Sequence, residues 1–90
     1  MRSEIIAIAD LLRKELPLGQ IKAYSFGSAT REDENPNDVD ILITYNDTSL
    51  PEKIRALMKS LGYLPIHLIF LTPEEEIETN FIAAQNCVLI

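Results

Sequence analysis

Two short patterns in this sequence place side chains suited to a phosphorylated ligand: Gly27-Ser28, and Asp38-Val39-Asp40. Residues at i and i+2 of a strand project from one face, about 6.5–7 Å apart, so Asp38 and Asp40 can turn their carboxylates towards a common point. A glycine turn beside them lets the backbone come close to a ligand. Together these make a suitable divalent-cation site, because magnesium prefers hard oxygen ligands and takes the rest of its shell from water or substrate phosphate. Mg2+ (or Mn2+) is therefore the expected cofactor. It would also bring positive charge that the chain lacks, since fourteen acidic residues against eight basic ones leave a net charge of −6.

For these residues to meet, the segments around them must form strands. Ile21-Lys-Ala-Tyr-Ser-Phe26 is short, β-prone and followed by Gly27, which predicts a strand ending in a tight turn. Ser28 to Asn37 is polar and turn-rich, with Glu32-Asp33-Glu34 and Asn35-Pro36-Asn37, and reads as a loop. Val39–Tyr45 is a second strand, closed by Asn46-Asp47. A third strand is expected over Ile66–Leu71, and His67 is its one ionisable residue.

Helices fill the remaining segments. Ser3 precedes Ile5, Ile8, Leu12 and Leu16 at helical spacing, and Pro17 and Gly19 stop that helix, giving about 3–16. Ser49 with Glu52 predicts a capping box for a helix over about 50–61, with Ile54, Leu57, Met58 and Leu61 as its core face and Gly62 as its C-terminal cap. Thr72-Pro73-Glu74-Glu75 opens a third helix, its acids at the positive end of the dipole. The apolar tail Cys87–Ile90 is too short for a helix and fits either an added edge strand or contact with another subunit. The order α-β-β-α-β-α predicts an α/β or α+β fold, a mixed sheet with helices packed on it.

Ninety residues leave room for one domain, 1–90, and 47% hydrophobic with 24% charged is the composition of an ordinary globular fold. A domain this small buries only about 60% of its unfolded surface, which favours assembly with a partner or a second copy. The acidic balance disfavours gripping a duplex through a basic face. One cysteine, Cys87, cannot form an internal disulfide, so a cytoplasmic location is expected. The longest apolar run, from Tyr63 to Leu71, is broken by Pro65 and His67, and neither a signal peptide nor a membrane span fits.

The strand, Gly27-Ser28, loop, Asp38-Val39-Asp40 arrangement resembles the signature of the DNA polymerase β-like nucleotidyltransferase superfamily, in particular its minimal bacterial domains. Ala29-Thr30-Arg31 resembles the small-residue and Arg segment of that family, and Pro36-Asn37-Asp38 its lead into the first aspartate. The resemblance implies a nucleoside triphosphate held by divalent metals, with Gly27, Ser28 and Arg31 on its phosphates, and transfer of a nucleoside monophosphate to an acceptor as pyrophosphate leaves. It implies Asp38 and Asp40 as metal ligands and catalytic residues, and Arg31 or Lys53 as assisting cations. Catalytic members carry a third carboxylate on a neighbouring strand. Here the corresponding position holds His67, which would serve as ligand or base, or else mark a domain that binds nucleotide without efficient transfer.

Each of these residues also has a plainer reading. Asp38 and Asp40 could be a solvated strand entry, Ser28 a hydroxyl closing its own turn, and Arg31 an ion-pair partner of its acidic neighbours. The alternative function is a non-catalytic binding module, the antitoxin-like partner of a helical HEPN-type protein in a toxin–antitoxin pair, again implied by resemblance.

Overall fold

The computed structural model of the chain describes residues 3–16, 19–27, 38–62 and 64–90. Helix α1, Ser3–Glu15, turns Ile5, Ile8, Ala9 and Leu12 inward, and Leu16 continues that buried stripe. Glu4 lies in its first turn and Arg13 and Lys14 in its last, each complementing the helix dipole.

Strands β1 (Ile21–Phe26), β2 (Val39–Tyr45), β3 (Ile66–Leu71) and β4 (Val88–Leu89) form one sheet in the order β3-β2-β1-β4. The pairings β1–β2 and β1–β4 are antiparallel, and β2–β3 is parallel. A parallel pair needs a crossover connection. Helix α2, Leu50–Met58, extended by a 3-10 turn over Lys59–Leu61, supplies it.

β2 is central, and Ile41, Leu42 and Ile43 have no exposed surface, which accounts for the unbroken apolar run in its sequence. On one face Ile41 and Ile43 pack with Ile5, Ile8 and Leu12 of α1 and Ile54 of α2. Helices α3 (Pro73–Thr79) and α4 (Phe81–Ala84) belong to the other face. There Phe81 meets Phe26 edge to face, with ring centroids 5.2 Å apart. The mixed sheet with packed helices agrees with the expected class, and all three predicted strands have the predicted bounds.

Two local expectations need adjustment. Ser49 makes no side-chain cap to α2. Instead its own N–H and hydroxyl donate to Asp47 Oδ1, at 2.9 and 2.8 Å, so an acidic turn outcompetes the Ser-x-x-Glu box. Gly62 takes the C-cap position expected of it, after the 3-10 turn, but in a right-handed conformation at φ −61°, and its N–H donates to the Lys59 carbonyl, 3.1 Å away. Left-handed conformations after helices fall to Asn80, φ 51°, between α3 and α4, and to Asn86, φ 52°, beyond α4. A complete capping box does form at α3, where the Glu75 N–H donates to Thr72 Oγ1 and the Thr72 N–H to Glu75 Oε1.

Of the two expectations for the tail, the structure displays the edge strand. Leu89 pairs with Tyr24 and Val88 with Ser25, and the Ile90 N–H donates to the Ala23 carbonyl.

Candidate functional site

Strand register brings the candidate residues together. Asp40 stands opposite Phe26 on β1 and opposite His67 on β3, so all three side chains share one sheet face. The Val39 N–H donates to the Pro65 carbonyl at 2.8 Å, pinning the start of β2 to the start of β3. β1 ends beside this point, where Gly27 turns the chain at φ +72°.

The two oxygens of the Asp40 carboxylate face different neighbours. Oδ1 lies 3.2 Å from His67 Nδ1. Oδ2 lies where a Cβ on residue 27 would fall, and Cγ is 3.4 Å from that position. Gly27 therefore serves twice, supplying a left-handed turn and leaving its cradle open to the carboxylate. An ionised carboxylate only accepts hydrogen bonds, so against one Nδ1 of His67 would be the donor. The Asp40 side chain is 22% exposed and that of His67 62%, which keeps the site open to solvent-borne ligands.

Asp38 is exposed, one residue before β2. Among the described residues no group of three or more His, Cys, Asp or Glu is gathered closely enough to hold a metal ion. Ser28 and Arg31 lie outside the described residues. Lys53 is not brought to the site. It is exposed on α2, and α2 packs on the Ile41 and Ile43 face, opposite to that of Asp40.

Sequence reading passed over Phe26 and Phe81. Phe26 stands directly opposite Asp40 and Phe81 braces it, forming an aromatic wall on that face. The available signal was the position of Phe26, last in its strand before the glycine turn. Earlier on β1, burial and then the charge of Glu76 push the Tyr24 phenol above its ordinary value, so that it ionises less readily. The same two causes push the Cys87 thiol up.

The family model described as "Nucleotidyltransferase domain" matches residues 5–90, nearly the entire chain. The protein belongs to that family. No individual curated protein matches it significantly.

Proposed function

We propose that the chain is a divalent-cation-dependent domain that binds a nucleoside triphosphate and directs its phosphates to the Gly27 turn. The observation that carries this reading is the placement of the Asp40 carboxylate between that turn and His67. Family membership makes a nucleotide the substrate class.

The donor set fits a hard divalent cation. Asp38 and Asp40 would offer oxygen ligands at the start of β2, and the missing Cβ of Gly27 is what admits Asp40 to the turn. Magnesium is commonly held by one or two carboxylates, with water and substrate phosphate completing its shell, so two aspartates suffice. When bound, such a cation neutralises charge on the phosphate oxygens. Backbone N–H groups of the turn and the Ser28 hydroxyl would hold the β- and γ-phosphates. Asp38 and Asp40 would hold the cation, which would neutralise charge on the phosphate, and Phe26 with Phe81 would exclude water from one side. In transfer, an acceptor oxygen bonds to the α-phosphorus as its bond to the bridging oxygen breaks, the acceptor proton leaves to solvent or to a base, and pyrophosphate departs.

A second reading, a binding module docked on a helical protein, is favoured by one feature. Ile77, Val88 and Leu89 are 79, 43 and 61% exposed, apolar side chains that a docked partner would cover.

Calorimetry with nucleoside triphosphates and Mg2+ or Mn2+ tests the proposal. Saturable binding is expected for the native chain, weakened about tenfold or more when Asp38 and Asp40 are both replaced by alanine, the usual scale for losing a ligand of a metal site. Equal binding by the double variant would contradict it.

A further inference from the structure

We infer that the chain pairs with a second copy of itself along the outer edge of β3, joining two four-stranded sheets into one. This goes beyond the nucleotide reading and does not depend on it. β3 ends the sheet on one side, and among the described residues no strand pairs with its outer edge. Such an edge presents open N–H and C=O groups, and protein sheets ordinarily blunt it by shortness, a lysine, a proline or a bulge. At the other side β4 is blunted by its length of two residues. Ile66–Leu71 has six residues, contains no Lys, Arg, Asp, Glu or Pro, and runs in unbroken register with β2. None of the usual protections is present on it.

The phase of the backbone decides which groups are open. A strand residue points its N–H and C=O to one side, and that side alternates along the strand. Because the Pro65 carbonyl accepts from Val39 of β2, residues 65, 67, 69 and 71 turn their peptide groups inward, and Leu68 and Phe70 turn theirs outward. A second copy laid antiparallel, with a twofold axis through Ile69, sets Leu68 opposite the second copy's Phe70, and Phe70 opposite its Leu68. Each opposed pair exchanges two hydrogen bonds, so the N–H and C=O of both residues are used in both chains. The side chains are self-complementary in the same register. Ile69 meets Ile69 and His67 meets Leu71 on the Asp40 face, while Leu68 meets Phe70 on the other. Two copies of a chain with net charge −6 repel in most approaches, yet along this edge no like charges are opposed. The second copy's Leu71 would stand beside His67, whose side chain is 62% exposed in the single chain, and would wall the outer side of the Asp40 and His67 pair.

Analytical ultracentrifugation of the native chain, with residue-resolved amide hydrogen exchange, tests the inference. The expected result is a dimer of twice the chain mass of 10.2 kDa, its population rising with concentration, and protection of the Leu68 and Phe70 N–H groups that rises with it. Ile69→Lys sets two like charges face to face and should weaken the dimer about tenfold or more, with circular dichroism and protection of the β2 amides reporting the fold. Ile69→Cys, in a chain that also carries Cys87→Ser, should form an intermolecular disulfide on mild oxidation, because directly opposed positions without hydrogen bonds bring their Cα atoms within disulfide reach. A chain that stays monomeric, or a dimer in which the Leu68 and Phe70 amides exchange as freely as at low concentration, would overturn the inference. Protection of those amides only on adding a different protein would also overturn it, and would make the edge a docking strand for that partner.

Discussion

A methyl group at position 27 would meet the Asp40 carboxylate and would also force an L residue to φ +72°, a conformation costing roughly 1–2 kcal/mol. Gly27→Ala should therefore lower the melting temperature and displace Asp40, weakening nucleotide binding as well; thermal denaturation and calorimetry measure both, and an unchanged melting temperature would show that the turn tolerates a side chain. Cys87 makes an opposite kind of prediction. Burial and the nearby charge of Glu76 hold its thiol protonated, so at neutral pH it should react with iodoacetamide more slowly than a free thiol, as mass spectrometry of the intact chain would read. Gly27, Asp38 and Asp40 were legible in the sequence because a tight turn and the alternation of a strand are local properties. The Asp40–His67 contact joins residues 27 positions apart. It depends on parallel register set by the α2 crossover, and without the family resemblance nothing local singles out His67 from its apolar strand.

The helices and strands could be read from apolar spacing because each buries one stripe or face. Ile54 is the clearest case: it has no exposed surface and lies where α2 meets Ile41 and Ile43. Ile54→Ala should cost about 2–5 kcal/mol, the range for emptying a packed aliphatic site, measurable by urea denaturation. Helix starts were less legible, since competing caps differ by small energies. At α2, Asp47 takes both the N–H and the hydroxyl of Ser49, and these bonds, the backbone one foremost, hold its carboxyl below the ordinary 3.8. A group with a depressed folded value stabilises above its unfolded value and loses that contribution as pH falls through 3.8 and then through the lower folded value. The difference in melting temperature between the native chain and Asp47→Asn should accordingly shrink between about pH 6 and about pH 3; a constant difference would mean that the carboxylate charge plays no part. The edge strand Val88–Leu89 could not be chosen from sequence, because two apolar residues carry no period.

Across the whole molecule, Gly27, Asp40 and His67 gather at one end of the sheet, where β1 stops and β2 and β3 begin. Charge then governs what can bind there. The chain carries a net charge of −6 and a nucleoside triphosphate is itself strongly anionic, so chelating the divalent cation should abolish binding, and equilibrium dialysis with and without a chelator would display it. Overall charge and fold class were plain from composition and element order. The segment between Gly27 and Asp38 reads in the sequence as a polar loop with turn chemistry, and it lies outside the described residues. The most direct measurement is amide-resolved NMR of the native chain titrated with a nucleoside triphosphate and a diamagnetic divalent cation. The account predicts that the largest shifts fall on Gly27, Ser28, Val39 and Asp40 and vanish when Asp38 and Asp40 are both alanine; shifts centred elsewhere, or surviving that double replacement, would contradict it.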